Sequence, residues 1–184
     1  MRRVLIVLMF FLTSIFSRAQ KITPFYGPFP EPAPTKNMLF YLQRTVDRNT
    51  VIYEVNLEPD GELNAKNPIK TYWIDFDNEA KRSSLTFLQS KFAYGIESEL
   101  IDEPNKIYAI SLVSNKKIKF YLKRDIKTKQ YHVHANIKGK SVILSRIFVN
   151  IIGGTYMQPT VSYVELAGHE PQSEKIITEK IIVK

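Results

Sequence analysis

The densest set of groups able to do chemistry lies between Lys116 and Lys140. Two alternating runs, Lys117–Arg124 and Tyr131–Lys138, are joined by the six residues Asp125–Gln130. Paired as a hairpin with Arg124 facing Tyr131, they put Leu122 with Val133, Phe120 with Ala135 and Ile118 with Ile137 on one apolar face. The opposite face then matches Lys123 with His132, Tyr121 with His134, Lys119 with Asn136 and Lys117 with Lys138. A slip of one residue would mix the two sets, so this register is the favoured one. Ammonium groups suit phosphate or carboxylate, and Tyr121 offers a ring face to a sugar. The same lysines tend to keep the imidazoles neutral at pH 7. A plain solvated face reads the same way, because one side of an antiparallel sheet commonly meets water.

His132 and His134 also form an H-x-H pair, with both imidazoles on one side of a strand, as transition-metal sites require. Only His169 is left as a third imidazole, and Lys119, Lys123 and Lys138 would repel a cation. The sequence therefore calls for no metal and no cofactor. A second cluster is Trp73, Asp75 and Asp77, alternate residues of one run followed by Asn78 and Glu79. An indole can stack on a sugar while acids take its hydroxyls. Paired carboxylates can also do acid–base work, but hydrolases hold them apart across a cleft. A strand end entering a polar loop is the plainer reading, with Lys81 and Arg82 as surface partners.

Those side chains need strands to position them, and period-two patterning runs through most of the chain. Val51, Tyr53, Val55 and Leu57 alternate with Ile52, Glu54 and Asn56 as a half-buried strand, ended by the turn Glu58-Pro59-Asp60-Gly61. Tyr72, Ile74 and Phe76 oppose Trp73, Asp75 and Asp77 on another. Further strands are expected at Met38–Gln43, Ile107–Val113, Val142–Ile151, Val161–Leu166 and Ile176–Val183. Met38–Leu42 and Val142–Ile152 are nearly unbroken apolar runs, as for strands covered on both faces. Lys138-Gly139 turns the hairpin into a third strand, and Gly153-Gly154 lets a strand bend or bulge. One short helix is expected, capped by Ser83 or Ser84, carrying Leu85, Leu88 and Phe92, and ended by Gly95. The fold class is mainly β: a single antiparallel domain, sandwich or barrel, over residues 37–184.

Arg2 and Arg3 precede the apolar run Val4–Phe16, and Ser17-Arg18-Ala19 supplies small residues where a signal peptidase reads. This is a secretory signal peptide, with cleavage expected after Ala19. The run is short of the roughly 20 residues a membrane span needs, so no span is expected after cleavage. Cleavage lowers the net charge from +8 to +5, because no acid leaves with the three arginines. In a periplasmic or extracellular protein such a balance points to anionic envelope surfaces or glycans rather than nucleic acid. The chain has no Cys, which excludes disulfides, thiolate nucleophiles and thiolate metal centres. Residues 20–36 include prolines at 24, 28, 30, 32 and 34, so this stretch is extended. It either spaces the domain from the membrane or packs along the domain's own surface through Phe25, Tyr26 and Phe29.

The stretches FYLQRTVDRNTVIYEVNL, NPIKTYWIDF, KFAYG, KFYLKRD, YHVHANIKGK and RIFVNIIGG, in this order, resemble an exported Bacteroidetes-type bacterial family, domain of unknown function 4833. The resemblance runs from Leu39 to about Leu166 and implies export, with no assigned activity and no catalytic residues to carry over. There is no G-x-S-x-G, H-E-x-x-H, P-loop or G-x-G-x-x-G. The sequence thus reads as an exported binding module for an anionic or glycan ligand of the envelope, more than as an enzyme. A hydrolase of unfamiliar pattern and a protein-binding envelope component are the alternatives.

Overall fold

The structure is a computed structural model that describes residues 21–156 and 158–183; the expected leader, residues 1–19, lies outside them. Among the described residues the elements are β1 (Met38–Arg44), β2 (Thr50–Val55), β3 (Ile69–Asp75), β4 (Lys81–Ser84), α1 (Phe87–Phe92), β5 (Ile96–Asp102), β6 (Ile107–Leu112), β7 (Asn115–Arg124), β8 (Tyr131–Ile137), β9 (Lys140–Gly154), β10 (Pro159–His169) and β11 (Ile176–Ile182). They form one curled sheet in the order β4-β3-β2-β1-β9-β8-β7-β6-β5, with β10 and β11 added along β9. The fold is mainly β with one short helix, as the alternation requires.

The curl follows from β9. This strand is 15 residues long and serves two partners on one edge. Its start pairs with β8, from His134–Ile143 to Ile137–Lys140, and its later part with β1, from Tyr41–Arg146 to Arg44–Val149. The β1–β9 pair is parallel, a departure from the all-antiparallel expectation. β10 runs antiparallel along the other edge, and Ser145 is an extra residue where the register slips between Ala167 and Gly168. That bulge switches the inward set from Val142 and Leu144 to Ile147, Val149 and Ile151, so both halves of β9 point into the core. Lys138 (φ 52°) and Gly139 (φ 77°) make the tight β8–β9 turn, as expected.

The sheet's order does not close. β4 and β5 are edges, and α1 spans the gap between them. Inside the curl Phe40 stacks on Tyr53 at 4.3 Å, with Phe120, Ile110, Leu122 and Leu144 fully buried around them. Outside, β2 is buried at every position rather than half-buried. Glu54 there accepts from Thr35 Oγ1 at 2.8 Å and from the Tyr72 hydroxyl at 2.7 Å. The proline-rich segment packs against the sheet. Phe25 N–H donates to the Thr45 carbonyl at 2.6 Å, Gln43 Nε2 donates to the Pro30 carbonyl at 2.7 Å, and Phe29 meets Phe148 edge-on. Tyr26 points to solvent instead.

The helix starts later than expected. Thr86, not Ser83 or Ser84, is its cap: Gln89 N–H donates to Thr86 Oγ1, and Thr86 N–H donates to Gln89 Oε1. Ser83 and Ser84 belong instead to β4, held by pairing with Trp73 and Tyr72. Ala93 ends the helix. Gly95 is there for space, since a Cβ would sit 1.9 Å from the Ser90 carbonyl oxygen. No residue of α1 is buried, so Leu88 and Phe92 are not a core face.

Candidate functional site

The Lys117–Lys138 hairpin forms with the expected register nearest its turn: Arg124 opposes Tyr131, Lys123 opposes His132, Leu122 opposes Val133 and Tyr121 opposes His134. Further out, Lys119 with Asn136 and Lys117 with Lys138 are not paired. There β8 forms its ladder with β9, while β7 pairs with β6. Lys117, Lys119, Asn136 and Lys138 are exposed; His132 and His134 are half-buried. Burial is the main reason both imidazoles titrate below their usual 6.5, with Lys123 adding to the effect at His134. Lys119 reaches Ser111 Oγ at 3.5 Å, and the Lys138 amide donates to Glu179 at 2.7 Å. Across the sheet His134 and His169 flank Ile143. Among the described residues no three His, Asp or Glu side chains are grouped to hold a metal. The face is polar, convex and open to water.

The second cluster leads to a concave site. Trp73 is buried on the inner face of β3, and Asp75 shares that face at the strand end. Asp77 does not. β3 stops at Asp75, the chain turns, and Asp77 lies exposed with Arg48 at 4.0 Å. Arg82 goes elsewhere too, stacking on Tyr72 at 3.4 Å with Glu54 at 3.7 Å. Trp73 and Asp75 line a cavity of about 900 Å³ at the open end of the curl. Its buried floor is apolar: Leu42, Leu112, Phe120, Ile147, Ile151 and Leu166. Its more exposed lining carries Asp47, Asn49, Ser83, Ser114 and Asn115, together with Leu88, Phe92 and Tyr156. Native interiors seldom leave voids larger than a water molecule. An apolar hollow of this size has the dimensions of a ligand pocket.

One cation stands in that wall. Arg44 is 8% exposed and lies between two rings, its guanidinium 4.4 Å from the centre of Trp73 and 4.9 Å from that of Tyr94. Nη2 donates to Asp47 at 2.6 Å, and Nη1 donates to the Tyr94 hydroxyl. Nε has no partner, the one such buried side-chain polar atom among the described residues. Burial raises the Tyr94 hydroxyl above its usual value, and Arg44 opposes that rise. The tyrosine is fixed in turn by Tyr53, whose hydroxyl donates to the Tyr94 carbonyl at 2.9 Å. Gln89 joins the helix to the same frame by accepting from Trp73 Nε1 at 3.3 Å. The cluster is thus a desolvated cation held in a fixed plane beside an apolar hollow.

A family model described as a domain of unknown function, DUF4833, matches residues 40–180. The chain belongs to that family. No curated protein and no solved structure matches it. The matched span of this DUF4833 domain holds the hairpin, the cavity floor and the whole Arg44–Trp73–Tyr94 cluster. Sequence reasoning found Trp73 and Asp75 but missed Arg44, Asp47 and Tyr94. A signal for Arg44 was present. It continues the alternation of Phe40 and Leu42, so it falls on the inward face of a strand, where an unpaired charge would be costly. Tyr94 carried no such mark, because its place depends on how α1 crosses the gap.

Proposed function

We propose that this DUF4833 protein is an exported binding module that holds the apolar chain of an amphipathic envelope molecule inside its curled sheet. The molecule's oxygen-bearing or anionic head lies toward Arg44. The observation that carries this reading is the cavity of about 900 Å³ with an apolar floor and a single flanking guanidinium. A glycan would need polar partners along the floor, and the floor offers none. An acyl chain needs only apolar surface, each buried methylene contributing roughly 0.8 kcal/mol. Among the described residues Arg44 gives the cavity wall its one positive charge, which an anionic or oxygen-bearing head complements. Export rests on residues 1–19, with their paired arginines, apolar run and small-residue end.

Native mass spectrometry of protein purified gently from an expressing cell's periplasm tests this. The expected result is a bound amphiphile that is lost on delipidation and replaced one-to-one by added palmitate. A bare mass and no palmitate uptake by calorimetry would sink the reading. A second reading keeps the hairpin face as an anion or glycan site, favoured by the observed pairing of Lys123 with His132 and Tyr121 with His134. It fails if Lys119→Glu/Lys123→Glu leaves retention on heparin and on sulfated glycan columns unchanged.

A further inference from the structure

The mouth of the cavity is more apolar than a soluble surface needs. Phe87 is 74% exposed, Leu88 55%, Phe92 58% and Tyr156 60%. Monomers seldom leave such a patch open without a use for it. These side chains are not loosely displayed. The capping box closes the start of α1, Gln89 ties it to Trp73, and Tyr94 fixes its far end to Arg44 and Tyr53. Its charges between Glu79 and Glu97 are Lys81, Arg82 and Lys91, of which Arg82 turns away onto Tyr72 and Glu54. The Lys91 ammonium sits 5.5 Å from the ring centres of both Phe87 and Phe92. Of the acids on the cavity wall, Asp47 is paired with Arg44 and Asp75 sits opposite Lys81, which leaves Lys91 as a positive excess beside the exposed rings. Aromatic side chains beside such an excess match the interface of a bilayer carrying anionic lipids.

We infer that the cavity mouth docks on an anionic lipid bilayer, with Phe87 and Phe92 entering the headgroup region and Lys91 meeting lipid phosphates. Leu88, Phe92 and Tyr156 line the cavity as well as its rim, so an acyl chain can pass between bilayer and hollow without crossing water. This exchange role rests on the reading of the cavity as an amphiphile site; the docking itself does not.

The test floats the protein purified from the periplasm with vesicles of phosphatidylcholine, with and without phosphatidylglycerol, and compares it with Phe87→Ser/Lys91→Glu prepared in the same way. Neither residue lines the cavity. The wild type is expected to prefer the anionic vesicles, and the variant to partition about tenfold or more weakly, the order expected for one lost aromatic anchor and a reversed charge. Unchanged thermal unfolding shows that the variant is folded. Equal flotation of both proteins overturns the inference, as does a variant whose only change is loss of dimers in light scattering, which would assign the patch to a second copy of the chain. Palmitate binding measured without vesicles separates the two readings. Docking that depends on Phe87 without palmitate uptake leaves the mouth assigned and refutes the cavity's cargo; the converse refutes only the docking.

Discussion

Replacing Arg44 by methionine keeps an unbranched stem but removes the guanidinium, and the structure sets the size of the effect. The change deletes a 2.6 Å pair with Asp47, the bond to the Tyr94 hydroxyl, and stacking on two rings. Breaking a buried pair by removing one partner costs about 3–5 kcal/mol. Asp47 is a quarter exposed and recovers water, which places the loss near the lower end of that range. Against it stands the unpartnered Nε, whose removal returns about 1 kcal/mol or more. The net expectation for Arg44→Met is a loss of about 2 kcal/mol, or about 4–8 °C in Tm for a domain of this size. Removing both partners in Arg44→Met/Asp47→Asn should recover at least about half of that, because neither charge is then left alone. The introduced side-chain amide oxygen can still accept from the Asn49 N–H, as the Asp47 carboxylate does at 2.9 Å. Thermal unfolding followed by circular dichroism on the four proteins of the cycle measures both numbers. An Arg44→Met protein as stable as wild type, or strictly additive single changes, would refute the assignment of Arg44 as a buried, paired cation.

Gly95→Ala should destabilise the domain by about 1–3 kcal/mol, since the new Cβ meets the Ser90 backbone rather than a movable side chain. Faster amide exchange in α1 than in β7 would localise the effect, and uniform exchange would contradict it. Acid should weaken the fold through His132 and His134. Their folded values lie below the unfolded 6.5, so the unfolded chain binds more protons and stability falls as pH drops through 6.5. His132→Asn/His134→Asn should flatten that slope in denaturant titrations between pH 7 and 5. At the alkaline end Tyr72, pushed up to about 12 mainly by burial, with its hydrogen bond to Glu54 adding, makes stability fall as pH rises from 10 toward 12. Tyr72→Phe should remove that component.

What was legible in the sequence was whatever a local pattern decides. The hairpin register near Arg124–Tyr131 followed from two alternating runs, and the Lys138-Gly139 turn from its residue types. β4 and β5 were not legible, because as edge strands they carry mostly exposed residues and show no apolar alternation. The helix cap was misplaced because Ser83, Ser84 and Thr86 are all competent caps, and β4 pairing with β3 removes the two serines from the choice. The parallel β1–β9 contact joins residues about a hundred positions apart and has no local signature. The cavity was hidden for a related reason: the inner face of a strand reads as apolar whether other side chains or a hollow lie against it. Trp73 and Asp75 on β3 and the arginine at the end of the Phe40–Leu42–Arg44 alternation were the marks of the place.

Trp73 is the only tryptophan in the chain and lines the cavity, so its emission reports directly on occupancy. Titration of delipidated protein with palmitate should shift and enhance that emission saturably at one ligand per chain. Val149→Phe, which narrows the hollow from its wall, should weaken the response. Emission that stays constant throughout the titration, with no heat of binding, would contradict the claim that this curled sheet is built around a ligand.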